Sequence, residues 1–312
     1  MDTALAYFGE VVRLGSIRRA AETLNVSASS VSRHVQNLEH ALGARLLQRH
    51  ARGVKLTAEG EIVALFVENR SRELQRLRSS LDSLKGLKSG HVSICTVEGA
   101  IGGLLPRALA AFSESYPGVT FEVRVGGTDT VIQTVADERC DIGVAFHAKP
   151  RHDIEVVAVL EQPLLALMPP SHRLAGHERL ALQDLVGEPI GLPDSSFGIR
   201  HLVDHAVITG QLELSVRMES SSIAMLRQFA LHSMGVTFLP AFACEREIAS
   251  GDLIAIPMTD SALSSANMHI CKSSETELSR AAQALVETLL KTARGTGSVP
   301  DFATLRKKQS AS

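Results

Sequence analysis

No stretch of the 312-residue chain is apolar for the length of a membrane span, and the N-terminus lacks a basic stretch followed by an apolar segment. A spanning helix and a secretory signal are therefore not expected, which favours the cytoplasm and no membrane partner. Cysteine is scarce: Cys95, Cys140, Cys244 and Cys271 lie far apart and form no CxxC pair. A structural zinc site is thereby disfavoured, and buried reduced thiols are the expectation. No Walker loop, GxSxG elbow, HExxH or GxGxxG occurs, so catalysis has no positive support and no cofactor is expected. His201 and His205 have the i,i+4 spacing of a two-histidine metal site, but no third ligand is evident nearby, and no metal is expected.

What is present is a soluble composition, 45% hydrophobic and 21% charged, in a chain long enough for two or three domains. The net charge of −2 hides an asymmetry. Residues 1–88 carry 14 Lys+Arg against 9 Asp+Glu, leaving a more acidic remainder. A basic head on an acidic body points to a polyanionic partner for the head.

In that head Leu5, Phe8, Val11, Val12 and Leu14 recur at helical spacing, and Gly15 closes the helix. Ser16 can cap a second short helix with a small apolar face of Ala20, Ala21 and Leu24. Asn25 tolerates the left-handed conformation of a sharp turn. Ser27 then sits where an N-cap is needed, before a helix to about Leu42 whose Val31, Val35, Leu38 and Leu42 share one face expected to be buried. The opposite face carries Ser29, Arg33, Gln36 and His40, with Ser32 at its edge and Ser30 in the first turn. Gln suits adenine, Arg guanine and Ser either base in the major groove. The segment RLLQRHARGVKLTAEG reads as a strand–turn–strand wing, with Arg49, Arg52 and Lys55 available to phosphates. For the serines alone a solvated helix face is the better reading; the basic wing beside them shifts the balance to DNA.

The run FGEVVRLGSIRRAAETLNVSASSVSRHVQNLEHALGARLLQRHARGVKLTAEG resembles the DNA-binding head of the LysR-type transcriptional regulators. Ile17 and Arg18 depart from the family's aromatic and small polar pair, Leu47 from its phenylalanine and Ser29 from a common glutamine. The resemblance implies a winged helix-turn-helix over 1–57 that binds promoter DNA, with Ser27, Ser29, Ser30, Ser32, Arg33, Gln36, Arg49, Arg52 and Lys55 at the interface. It implies a linker and dimerisation helix over 58–88, a homodimer through that helix, and assembly to a homotetramer. Consistent with this, Thr57 can cap a long helix striped by Ile62, Phe66, Leu74, Leu77, Leu81 and Leu84, with Arg70, Arg72, Glu73, Arg76 and Arg78 outside the stripe. Leu87–Lys88–Ser89–Gly90 reads as a hinge out of it.

From His91 strands and helices alternate, the pattern of a parallel α/β sheet: HVSICTV, VTFEVRVGG, DIGVAF, PLLALMP, PIGLP, LELSVRME, GVTFLP, LIAIP and MHICK are the expected strands. A final amphipathic helix covers ETELSRAAQALVETLLKTA. LLPRALAAFSESYPGVTFEVRVGG, DERCDIGVAF and GVTFLP resemble the same family's effector-binding body, which has two α/β lobes like a type 2 periplasmic binding protein. The resemblance implies an effector domain over 89–294, with lobe I over about 91–161 and 267–294 and lobe II over about 162–266. Residues 295–312 are expected to be a disordered tail.

Ligands in such sheets sit at the carboxyl ends of strands, beside helix N-termini. Those places are Glu98-Gly99-Ala100, Gly127-Thr128, Ser195-Ser196-Phe197 and Ser221-Ser222. The hydroxyls of Thr128, Ser196 and Ser222 are expected to face a cleft, where they could hold the carboxylate of a small organic acid; as plain N-caps they would serve only their helices. Gly99 replaces a family Ser or Thr. Glu98 is expected to point to solvent, with a contact to a cationic ligand as the alternative. His232-Ser233 replaces a family Ala-Gly pair, and His232 reads as a packed core histidine. No cysteine falls between residues 190 and 220, where the family's peroxide-sensing branch carries its reactive pair, so a thiol switch is disfavoured. The resulting expectation is a non-enzymatic transcription regulator that senses a small molecule. A solute-binding protein is the rival, and an α/β enzyme comes third.

Overall fold

The computed structural model describes residues 2–50, 53–83 and 89–295, with the side chains at positions 49, 75, 76, 78–83, 294 and 295 left undescribed. The chain divides into two compact units, Met1–Arg78 and the remainder from Ser79.

The first unit runs α1 (Asp2–Leu14), α2 (Ile17–Thr23), α3 (Ala28–Leu42), β1 (Leu47–His50), β2 (Gly53–Leu56) and α4 (Ala58–Ser83). Its core gathers Phe8, Val11, Ala20, Ala21, Val31, Val35, Leu38 and Leu46. The expected caps form: Ser16 Oγ accepts from Arg19 N, Ser27 Oγ accepts from Ser30 N, and Asn25 takes a φ of 53°. Leu42 departs from the expected buried face of α3 and is 45% exposed, because the helix ends at Gly43 before any neighbour covers its last turn.

β1 and β2 form an antiparallel hairpin. Glu39 fixes where it begins, since its Oε1 accepts from Leu46 N at 2.8 Å and Leu47 N at 3.2 Å. Thr57 holds the far end: its Oγ1 donates to Arg45 O at 2.6 Å and accepts from Gly60 N at 2.9 Å. A Cβ on Gly60 would run into Leu46 O, so glycine is required where α4 passes the wing.

α4 has two unlike faces. Val63, Ala64 and Val67 pack on the core of this unit. The stripe read from the sequence lies elsewhere: Ile62 is 71% exposed, Phe66 55%, Leu74 50% and Leu77 55%. The side chains of Arg76, Arg78 and the stripe's Leu81, together with Leu84 and Leu87–Lys88 of the hinge, lie outside the described residues, as do 296–312 of the expected tail.

The second unit opens with β3 (Gly90–Val97), α5 (Leu104–Ser115), β4 (Val119–Gly126), α6 (Thr128–Ala136), β5 (Ile142–Phe146) and β6 (Ile154–Glu161). It continues with β7 (Leu164–Met168), β8 (Pro189–Pro193), α7 (Gly198–Gly210), β9 (Ser215–Ser220), α8 (Ile223–Leu231) and β10 (Val236–Pro240). It closes with α9 (Glu245–Ser250), β11 (Ile254–Pro257), α10 (Ser261–Ser264), β12 (Asn267–Ser273) and α11 (Arg280–Gly295).

Two five-stranded sheets result, ordered β4-β3-β5-β12-β6 and β11-β7-β10-β8-β9. The chain passes from the first sheet to the second after β6 and returns at β12, beside a bond from Gln162 N to Ala266 O of 2.8 Å. Neither sheet is wholly parallel, contrary to the expectation. β12 pairs antiparallel with β5 and β6, and β7 antiparallel with β10 and β11, because each of these strands adjoins a crossing between sheets and so enters from the opposite end. β6 adds a strand where none is expected from the sequence. The final helix starts at Arg280, later than expected. All four cysteines are buried free thiols.

Candidate functional site: an exposed recognition helix and a closed cleft

In the first unit, α3 presents Ser29, Arg33 and Gln36 to solvent, with Ser30 and Ser32 half-buried at the edge. The cap at Ser27 ties down the helix start, and Ser27 Oγ lies 2.9 Å from Ser29 Oγ, so Ser29 is tied to the cap as well as exposed. On the opposite side Val31, Val35 and Leu38 anchor α3 in the core. The result is a rigid helix whose polar face is held by its apolar one, a geometry that fits a duplex major groove. Lys55 of the wing is exposed. The Arg49 side chain and Arg52 lie outside the described residues.

In the second unit the strand ends named from the sequence come together where the two sheets meet, but their polar groups have protein partners. Thr128 is 1% exposed. Its Oγ1 donates to Phe146 O at 2.9 Å and accepts from Gly198 N, the first residue of α7, at 3.1 Å. Beside it Asp129 N donates to Ser196 O at 3.2 Å. Ser196 Oγ donates to Asp194 Oδ1 at 2.6 Å. Ser222 Oγ accepts from Met225 N at 3.3 Å, capping α8. The expectation that these three hydroxyls face an open cleft is therefore corrected: each is engaged within the closed interface.

Glu98 is corrected too. It neither points to solvent nor meets a cationic group, but reaches across to the N-terminus of α8. Its Oε1 accepts from Ser222 Oγ at 3.1 Å and Ala224 N at 3.0 Å, and its Oε2 accepts from Ile223 N at 2.7 Å. Free N–H groups and the positive end of the helix dipole make this a favourable seat for a carboxylate. The chain itself supplies one.

Gly99 lies buried beside the Phe242 ring: a Cβ there would approach Phe242 Cε2 to 3.1 Å and Ala243 Cβ to 3.4 Å. A side chain here would press on the Phe242 ring, which would have to shift by a few tenths of an ångström. Ala100 is fully buried, Gly127 is the buried N-cap residue of α6, and Phe197 holds the same place for α7. Ser195 and Ser221 are exposed. Between the lobes lies a cavity of about 10 Å³ lined by Val97, Thr128, Phe146, Ile223 and Phe242 among others, about the room of one water. A second bridge links the lobes, with Arg107 donating to Glu245 at 2.9 and 3.0 Å.

His201 has a backbone partner. Its Nε2 is 2.8 Å from Ser195 O, and among the described residues no group of three or more His, Cys, Asp or Glu could hold a metal. His232, expected in the core, is the exposed C-cap of α8, where the helix end turns back to solvent. The Glu98 contact had no local signal, since its partners lie more than a hundred residues away.

Two family models match. Residues 3–61 match the bacterial regulatory helix-turn-helix protein of the lysR family, and residues 85–294 match the LysR substrate binding domain. The chain belongs to the LysR family. It is a DNA-binding transcriptional regulator with an effector-binding domain. Among curated LysR-type relatives, the HTH-type transcriptional activator CmpR of Synechocystis is 27% identical over 80% of this chain and 82% of its own length. The uncharacterized regulator YwbI of Bacillus subtilis is 29% identical over 82% of this chain and 85% of its own. Full-length CbnR, solved with its target DNA, shares the fold with a TM-score of 0.72 at 20% identity, covering 94% of this chain and 100% of that one. The effector binding domain of QuiR in complex with shikimate gives 0.58 at 16% identity, over 66% of this chain and 98% of that one. Among the described residues no helix is long and apolar enough to cross a membrane.

Proposed function

We propose that this LysR-type regulator reads promoter DNA with α3 and the wing, and sets its affinity or spacing on DNA by binding a small organic acid between the two lobes. Ser29, Arg33 and Gln36 meet base edges, with Ser30, Ser32 and the Ser27 cap at the backbone, and Arg49, Arg52 and Lys55 of the wing meet phosphates. Residues 1–57 form the DNA-binding domain, 58–88 the linker and 89–294 the effector domain. A homodimer forms through the exposed stripe of α4 and pairs into a homotetramer. The single observation that carries the DNA reading is the exposed Ser29–Arg33–Gln36 face, rigidly held by the Ser27 cap and the buried Val31, Val35 and Leu38.

The acid reading rests on the seat at the N-terminus of α8, which already accommodates a carboxylate, and on the bound shikimate of the QuiR domain, itself a small carboxylic acid. A ligand that makes different contacts in open and closed lobes shifts the balance between them, and two paired heads would then be re-spaced on DNA.

The test is operator binding by the Arg33→Ala variant. Loss of a base contact weakens the cognate complex by ~1–3 kcal/mol and leaves the oligomeric state unchanged. Equal affinity of variant and wild type would remove Arg33 from the reading face.

A further inference from the structure

The α8 seat in the cleft is filled by a group of the protein itself. Glu98 leaves β3 in lobe I, and its two carboxylate oxygens accept from Ser222 Oγ, Ile223 N and Ala224 N of lobe II. The neighbouring geometry adapts to this placement. Gly99 has no side chain, which lets Phe242 of lobe II lie against the backbone next to Glu98. Thr128 and Asp129 of α6 bond to Gly198 and Ser196. The lobes are closed around a cavity of about 10 Å³.

We propose that Glu98 is the specificity-determining residue of this cleft: its carboxylate occupies in cis the subsite that an acid effector needs, latches the lobes shut, and must be displaced before such an effector binds. The proposal rests on the reading of the effector as a small acid bound in this cleft. It adds a threshold to that reading. An acid finds no waiting pocket, and its apparent affinity is reduced by the fraction of molecules in which Glu98 is already seated. A ligand must therefore offer more than a carboxylate, and gains it from groups that reach Thr128, Ser196 or the Phe146–Phe242 wall once the lobes part.

Chemical rescue tests this on the full chain. Glu98→Ala removes the internal carboxylate and leaves a space in which acetate fits. Thermal midpoints of wild type and E98A are measured against sodium acetate, with sodium chloride at equal ionic strength as the control. E98A melts lower than wild type, by roughly 2–4 °C for a lost helix-terminal carboxylate. Acetate raises the E98A midpoint logarithmically with its concentration, the rise setting in at a concentration at least roughly tenfold lower than for wild type. Equal response of the two proteins, or none in E98A, overturns the latch.

Should E98A not fold, Glu98→Gln keeps the side-chain volume while removing the charge. Its lobes then separate more readily, read as faster proteolysis at the crossings near residues 162 and 259–266; a wild-type rate overturns the latch equally. The DNA footprint distinguishes the two layers. Acetate rescue of E98A with an acetate-dependent footprint supports both the latch and the sensing role. Rescue with an unaltered footprint supports the latch and overturns acid sensing through this cleft.

Discussion

Replacing Thr128 by valine isolates one hydroxyl at the junction of the lobes. The two side chains have nearly the same shape, so the buried site keeps its volume and loses only the Oγ1. That oxygen is the acceptor for Gly198 N at 3.1 Å. Gly198 begins α7, and the first N–H groups of a helix have no acceptor within it. Orphaning a buried donor costs about 1–3 kcal/mol, and Phe146 O loses its 2.9 Å donor in the same step. A total near 2 kcal/mol, with about 2–4 °C per kcal/mol in a unit of this size, gives a midpoint lower by roughly 4–8 °C. Thr128→Ser is the control. It keeps the hydroxyl and loses one buried methyl, which costs about 0.8 kcal/mol. Thermal unfolding of the full chain followed by circular dichroism ranks wild type above T128S and T128S above T128V. If T128V matched or exceeded T128S, the hydroxyl bridge would contribute nothing and the closed junction would be held by packing alone.

Leu74 and Leu77 are half exposed on α4, so the double replacement Leu74→Lys with Leu77→Lys is expected to convert the proposed homodimer to monomer in sedimentation equilibrium while leaving the head folded; an unchanged mass would contradict a dimer contact through this stripe. Burial holds the His147 imidazole below its usual range, helped by repulsion from His269, His201 and His205, and burial does the same to His269. Both are thus neutral in the fold where the unfolded chain takes up protons, so their contribution is complete above the unfolded pKa of about 6.5 and is lost as pH falls through that value towards the lower folded pKa. The variant carrying His147→Gln and His269→Gln should lose less stability than wild type between pH 7 and pH 5.5; parallel denaturation curves would contradict this.

The head was legible because its signals are local. Ser16 and Ser27 cap helices three residues away, Asn25 turns the chain in place, and Val31, Val35 and Leu38 bury at plain helical spacing. Leu42 escaped the pattern because periodicity says which face a residue is on, and not where the neighbour that covers it ends. In the body, β6 was invisible because its exposed Val156, Val157 and Val159 break the expected alternation of apolar and polar residues. The antiparallel strands followed from how the chain re-enters each sheet, which no single segment records. The same limit applied at the cleft. Glu98, Gly99, Thr128 and Ser222 were rightly found at strand ends, but which of them face a ligand depended on contacts across the lobes. A carboxylate next to a glycine reads as solvent-facing until α8 is brought opposite it.

The proposed reading of DNA sequence by α3 is tested by sequencing the genomic DNA recovered with the cross-linked protein, with the Arg33→Ala chain recovered in parallel. A discrete set of promoter sites sharing a two-fold symmetric sequence, depleted in the Arg33→Ala sample, is the predicted result. DNA recovered evenly across the genome, or the same sites at the same strength from both proteins, would contradict the claim.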